Sequence, residues 1–351
     1  MKRISLESLE IDKPSTVFIG ENGGGKSTVL RQLLEYFNSQ GRNIIAISNC
    51  INDKLDISSR NVNYMSAKQG ESIHKEIMYD CLSKIDENIS RSLSRVLNYC
   101  GYIEQIGVEI SWGVEASIGK DNYVRTLFDI SKNETLIWIP IDSTLPNYKV
   151  MAIIKKFFSN IHYLIKNSVV LSMSFFLKKE GQIINFNQIS SGEASQISTL
   201  AFIASNLNNN SVILVDEPEN SLHPKWQRDY INNIDSLFYL YEYKLFISTH
   251  SPLMINNNSN VYEVSNFTLN KKPSTEGGIE KVLWQYFDIV TPENEFLTRY
   301  LTNILDQYKD HVISSQGAKD KLYDIRNACI DVRQVNVIDD LILMIEDGVI
   351  G

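Results

Sequence analysis

The nine residues GENGGGKST, positions 20–28, restrict the fold more than any other stretch. They satisfy the pattern G-x-x-x-x-G-K-S/T through Gly20, Gly25, Lys26 and Ser27. That pattern has chemical meaning only between a strand and a helix, and the flanking residues predict both. STVFIG (15–20) is a short apolar run ending in glycine, read as a buried strand. KSTVLRQLLEYF (26–37) puts Val29, Leu30, Leu33, Leu34 and Phe37 on one helical face. The glycines Gly20, Gly23, Gly24 and Gly25 let the loop curl, with Glu21 and Asn22 between them, so that backbone N–H groups converge on phosphate oxygens. The helix start adds partial positive charge. Lys26 would bridge two phosphates, the Ser27 hydroxyl would ligate Mg²⁺, and Thr28 lies beside it. A glycine-rich turn that binds nothing is the competing reading.

A second motif supplies the partner chemistry. SVILVDEPE (211–219) reads as a fully apolar strand ending in carboxylates. Asp216 at its end would hold the Mg²⁺ water shell. Glu217, pointing the other way, would be the general base for an attacking water. The next apolar run, KLFISTHSP (244–252), reads as a strand that delivers His250, either a γ-phosphate contact or a satisfied structural histidine. Between the loop and these strands, the segment 71–100 repeats apolar residues every four positions, as one amphipathic helix or two. GVEISWGVEASI (107–118) alternates strictly, as a half-exposed antiparallel strand does. The stretch 147–165 reads as helix, 169–177 as strand, and 193–206 and 224–240 as helices. Beyond 255, NNNSN and KKPSTEGG read as loops and the rest as amphipathic helices.

Composition removes several function classes. The chain has 351 residues, 43% of them hydrophobic, enough for a packed core and roughly two domains. Its net charge of −8 argues against broad coating of nucleic acid. The Lys155-Lys156, Lys178-Lys179 and Lys271-Lys272 pairs read as solvated faces. Cys50, Cys81, Cys100 and Cys329 form no CxxC pair and read as reduced thiols of a cytoplasmic chain. No run of 18 apolar residues occurs, so no membrane span or signal peptide is expected.

One further stretch, ISSGE (189–193), completes an order of motifs. Read locally, Ser190 or Ser191 caps a helix with Glu193 in its first turn. Read with its neighbours, it resembles the LSGGQ-type signature of ABC ATPases, with Ser190, Gly192 and Glu193 at the matching places and Ser191 within the same stretch. Phosphate loop, signature, DE pair, ENSLHP (219–224) as a D-loop and a switch histidine together resemble the ABC-type ATPase superfamily. DEPENSLHP with STHSP looks like its soluble SMC/RecF/OLD-related branch. The fold implied is α/β, a P-loop NTPase of the ABC-head kind, with a mixed β-sheet, an antiparallel β-subdomain and a helical lobe. The resemblance covers 1–48 and 186–255 well, and the remainder only in layout.

The resemblance implies ATP and Mg²⁺ as ligands and a head-to-tail homodimer sandwiching two ATP molecules. Ser190 and the amides near Gly192 would then touch the γ-phosphate bound by the opposing subunit. Asn220 and Ser221 of the D-loop would line the seam. Higher oligomers through the helical middle or the tail are compatible with it. Gln69 is the candidate Q-loop glutamine at the Mg²⁺, with Gln105 as the other. No adenine-stacking aromatic is found before the phosphate loop, Phe18 reading as strand core. The expected organisation is 1–70 as the first part of the head, 71–168 as a helical and antiparallel insertion, 169–255 as the second part of the head, and 256–351 as a helical tail for interaction or dimerisation. Long coiled-coil arms, a CxxC hook and the acidic set of a nuclease domain are not found. Short heads of this sort resemble ATPase subunits of bacterial anti-phage systems: Septu, retron and PARIS types. The expected function is therefore an ATP-switched regulatory ATPase that controls a separate effector protein, a nuclease or toxin. The alternative is a RecF-like ATPase that clamps DNA when the dimer closes. A scaffold that has lost catalysis is disfavoured by the joint presence of Lys26, Asp216 and Glu217.

Overall fold

The computed structural model describes residues 3–50, 54–66, 72–113, 136–141, 148–256, 258–273, 279–291, 295–329 and 331–348. Strand β1 (Ser15–Ile19) leads through the glycine-rich loop into α1 (Lys26–Ser39), followed by β2 (Ile44–Ser48) and β3 (Val62–Ser66). Two helices, α2 (Ser72–Lys84) and α3 (Glu87–Tyr99), precede β4 (Gln105–Trp112) and β5 (Leu136–Pro140). Next come α4 (Tyr148–Ser159), α5 (Ile161–Lys166), β6 (Val170–Lys179), β7 (Gln182–Asn185) and α6 (Ser191–Asn206). β8 (Ser211–Asp216), α7 (Pro224–Leu237) and β9 (Tyr243–Ser248) follow, then β10 (Ser259–Ser265) and β11 (Thr268–Lys272). The chain closes with α8 (Ile279–Phe287), α9 (Glu295–Lys309), α10 (Ser315–Ala328) and α11 (Val332–Glu346).

These elements fall into two compact units. The first is Lys26–Thr249. Its main sheet has the order β9-β8-β2-β3, every pair parallel. β2 and β8 are buried along their whole length, which is why IIAIS and SVILVD are near-continuous apolar runs without alternation. α1 packs on β2, β8 and β9 through Val29, Leu30, Leu33, Leu34 and Phe37, the face that the spacing predicts. A second, antiparallel sheet has the order β5-β4-β6-β7. β4 keeps the predicted alternation at Val108 and Ile110; the part of that stretch from 114 to 118 lies outside the described residues. α2 packs on α4 and α6, and α3 packs on α6. α6 is buried on nearly every side from Ala194 to Ser205, so its sequence carries no clean amphipathic stripe.

Three local features depart from the sequence reading. The helix expected over 147–165 breaks at Asn160, whose side-chain Nδ2 donates to the Lys156 carbonyl at 2.8 Å and competes with the backbone ladder. β7 pairs with β6 through a turn at Glu180-Gly181, both with positive φ, a hairpin the sequence reading did not contain. The third departure lies in the second unit, Lys2–Gly25 with His250–Gly351. There β10 runs parallel to β1 and antiparallel to β11. Asn260 and Ser259 of the expected NNNSN loop, and Lys271 and Lys272 of the expected KKPSTEGG loop, are strand residues. The β10–β11 turn is Asn266-Phe267, both at positive φ. α9, α10 and α11 enclose a core of their own around Leu301, Ile304, Leu322, Ile325, Ile338 and Ile342. Among the described residues no helix is long and apolar enough to cross a membrane. The four cysteines are all free thiols.

Candidate active site

In the first unit the chemistry gathers where α1 starts and β8 ends. Lys26, the first residue of α1, is only 6% exposed. Burial draws its pKa down, and the Glu217, Asp216 and Glu219 carboxylates push it back up. One buried ammonium thus answers to three acids. That balance leaves negative charge and hard oxygen donors for a divalent cation: Asp216 at the strand end, with the half-buried Ser27 hydroxyl as the motif's own oxygen donor on α1. The donor set fits Mg²⁺, which favours one or two protein oxygens plus phosphate and water.

Asp216 is fully buried, and its surroundings are built from the adjacent strand. Ser248, its register partner at the end of β9, donates from Oγ to Asp216 Oδ1. The Asp216 carbonyl accepts from Asn49 N at 3.0 Å, and Glu217 N donates to the Ser248 carbonyl at 2.9 Å. The backbone on either side of the carboxylate is therefore pinned by two neighbouring strands. Ser248→Ala is expected to cost about 1–3 kcal/mol of folding stability, since a buried carboxylate loses a donor; urea unfolding of the variant checks it.

Glu217 sits in the left-handed region at φ 50°, ψ 57°. Few non-glycine residues adopt that backbone, and it turns the chain sharply off the strand. Its carboxylate Oε2 accepts from Asn220 Nδ2 at 2.9 Å, and the same Asn220 amide reaches the Asn49 carbonyl at 3.3 Å. The Cys50 thiol also bonds the Glu217 carboxylate; burial first, then that bond, pushes the thiol pKa well up. Asn220 therefore contacts Glu217 directly. Ser221 closes the same short 3₁₀ turn, Pro218–Ser221.

Ser190 caps α6, as the local reading of ISSGE expects. Glu193 N donates to Ser190 Oγ at 3.2 Å, and Ser190 Oγ donates back to Glu193 Oε2 at 3.1 Å. Ser190 and Ser191 are exposed, while Gly192 and Glu193 are half-buried. Lys179, at the end of β6, holds Glu193 Oε1 at 3.0 Å and lies over the Tyr102 ring. Burial pushes the Glu193 carboxyl up, but the bonds from Lys179 and Ser190 outweigh it and hold it below its ordinary pKa. The helix start thus faces solvent with its acid already neutralised by a lysine.

Gly20–Gly25 and His250 belong to the second unit. Gly20 has φ 137°, and a Cβ there would lie 2.4 Å from the Val264 carbonyl oxygen. A Cβ on Gly24 would lie 2.6 Å from the same atom. Glycine is required at both because the loop packs against the end of β10 with no room for a side chain. A cavity of about 530 Å³ is lined by residues 20–24, His250, the end of β10 and Tyr286–Asp288. A larger one of about 720 Å³, beside β3 and α2, holds none of the motif residues. Gln69 lies outside the described residues. Sequence reasoning passed over Ser248 and over the contact of Cys50 with Glu217, which arise between neighbouring strands, and it took Lys179 for part of a solvated face although that lysine pairs with Glu193 on α6. It also passed over the tail aromatics Tyr286 and Phe287, which share a cavity with His250.

Comparison with known proteins finds relatives for parts of the chain. Residues 109–256 match a family model described as "AAA domain, putative AbiEii toxin, Type IV TA system". That stretch contains ISSGE, the DE pair and His250 but starts after the phosphate loop. Among curated proteins, the chain is 27% identical over 165 residues to the "Retron Ec83 probable ATPase" of Escherichia coli, covering 42% of this chain and 29% of that one. It is 30% identical over 113 residues to the "Retron Vc95 probable ATPase" of Vibrio cholerae serotype O1 biovar El Tor, covering 29% and 21%. The chain thus spans under a third of the length of these relatives. Among solved structures, the cbiO1 component of an ABC transporter complex from Clostridium perfringens aligns over 84% of this chain and 86% of its own, at 11% identity and a TM-score of 0.32. The resemblance drawn from the motifs to ATPase subunits of anti-phage systems is matched by the two retron ATPases, and the family model that fits is an AAA domain.

Proposed function

We propose that this chain binds and hydrolyses ATP with Mg²⁺ and works as a dimeric switch in a bacterial anti-phage system, governing a separate effector protein. The observation that carries the reading is the buried Lys26 ammonium facing Asp216, Glu217 and Glu219, at the start of the helix that follows the glycine loop. In this reading the amides of Gly20, Glu21, Asn22, Gly23, Gly24 and Gly25 cradle phosphate oxygens, with Lys26 and Thr28 beside them. Ser27 and Asp216 hold Mg²⁺, which offsets charge on the phosphates, and Gln69 completes that shell. Glu217 takes the proton of the attacking water, and Asn220 fixes its carboxylate for that step. His250 reports loss of the γ-phosphate.

The exposed start of α6 is assigned to the second subunit's nucleotide. Ser190, Ser191, Gly192 and Glu193 close over the phosphate bound by a partner copy, and Asn220 and Ser221 line the seam. Two retron ATPases among the similar proteins support a defence role, and the tail 256–351 is assigned to contacts with the effector or with further copies. The reading places the protein in the cytoplasm.

Ser190→Arg tests the dimer. Analytical ultracentrifugation with ATP and Mg²⁺, in a Glu217→Gln background, should show a dimer when Ser190 is present and a monomer that still binds ATP when it is arginine. A dimer in both would remove the signature from the interface. ATP-dependent, salt-sensitive DNA binding by the same dimer would instead favour the DNA-clamp reading.

A further inference from the structure

The turn that follows Glu217 borders a small polar cavity. α6 and α7 each pack on that turn, Pro218–Ser221. Pro218, and Leu222 just after the turn, line a cavity of about 10 Å³, the volume of one water-sized sphere. Gln196 on α6 and Tyr230 on α7 line it too, with Asn49 and Thr199. All of these residues belong to the first unit.

Two of the lining side chains set this cavity apart. Gln196 and Tyr230 are each only 5% exposed. Among the described residues, neither Gln196 Oε1 nor the Tyr230 hydroxyl has a hydrogen-bond partner. Buried polar groups are nearly always paired, and an orphan bears the full penalty of leaving water. The Gln196 side chain is tied at its other polar atom. Its Nε2 donates to the Tyr99 hydroxyl at 3.3 Å, and Asn233 Nδ2 on α7 donates to the same oxygen. Tyr230 belongs to the buried face of α7 with Ile231 and Ile234. Burial, with the Glu219 carboxylate adding to it, raises the pKa of the Tyr230 phenol, so the hydroxyl keeps its proton and can donate.

We propose that the cavity is a binding site for one water molecule, which joins Gln196 on α6 to Tyr230 on α7 beside the turn that follows Glu217. The chemistry is complementary: the phenol O–H donates to the water oxygen, and a water O–H donates to Gln196 Oε1. The volume admits nothing larger, and a carboxamide and a phenol supply no negative charge for a metal ion. Turning the Gln196 amide over would exchange acceptor for donor at the cavity and still call for a water as mediator. α6 starts at the exposed Ser190 and α7 follows the Glu217 turn, so the bridge fixes the one helix against the other. The site is a property of the fold and does not depend on the ATPase reading.

A crystal structure of the wild-type chain, at a resolution that shows ordered water, tests this together with urea unfolding of Tyr230→Phe, Gln196→Met and the double variant. Density for one water within about 3.2 Å of both atoms is expected. Tyr230→Phe keeps the ring and removes only the hydroxyl, so the sign of its effect is informative. It should lower the folding equilibrium constant about five-fold, the size of one hydrogen bond. Removing a hydroxyl that bonds nothing would leave stability unchanged or raise it, and that result overturns the proposal. In the Gln196→Met background the same substitution should change the constant by less than about two-fold, because the bridge has already lost its other end. Equal losses in the two backgrounds overturn the bridge. Density that shows the cavity dry, or the two groups bonded directly to each other, overturns the water.

Discussion

Glu217→Gln is expected to bind ATP as wild type does and to hydrolyse it roughly 10²–10⁴-fold more slowly, the usual contribution of a positioned general base. The substitution keeps the side chain's volume and its place in the turn. It also keeps an oxygen for Asn220 Nδ2, so the bond at 2.9 Å survives. What is lost is the ability to take a proton. Single-turnover hydrolysis of labelled ATP separates this from slow product release. A second consequence follows from the proposed dimer: with hydrolysis blocked, the closed form should persist, and native mass spectrometry should find two chains with two nucleotides. If an effector protein or a nucleic acid is carried along, its mass identifies it. Hydrolysis at the wild-type rate would move the base elsewhere.

Lys26→Met is expected to weaken ATP binding on the order of 10²–10⁴-fold, the equivalent of two bonds to charged phosphate oxygens. Methionine matches the length and burial of the lysine stem, so the start of α1 has no reason to rearrange. The electrostatics change sign instead. Asp216, Glu217 and Glu219 then face the phosphates with no intervening cation, and like charges meet at short range in a site of low dielectric. Binding of a fluorescent ATP analogue measures the loss, and far-ultraviolet circular dichroism checks that the variant is folded. Retention of wild-type affinity would show that GENGGGKST is a turn and not a phosphate loop.

The comparison of sequence with structure divides along the range of the contacts. Strands β1, β2, β8 and β9 and helix α1 were legible because each carries its own signal within a few residues: an apolar run with a polar end, or one apolar helical face. β10 was not legible, because its burial is conferred by β1. The Ser15 and Ser259 hydroxyls that join the two strands, 2.6 Å apart, are 244 positions apart in the chain. The β10–β11 turn hid as well, since Asn266-Phe267 takes positive φ at both residues with no glycine to announce it. The same division runs through the candidate site. Lys26, Asp216 and Glu217 stand in local motifs. Ser248 matters only because β9 lies beside β8. The cap at Ser190 was readable because a capping box spans four residues.

The left-handed backbone at Glu217 has an implication for anyone who would engineer this protein. A search for stabilising substitutions would be drawn to position 217, because glycine or asparagine accepts that backbone without strain while glutamate does not. The more robust protein so obtained would have given up the carboxylate to which its turnover is assigned. Tolerance of heat and catalytic competence should therefore be opposed at this one position, and a variant library screened on melting temperature alone would enrich for silent switches.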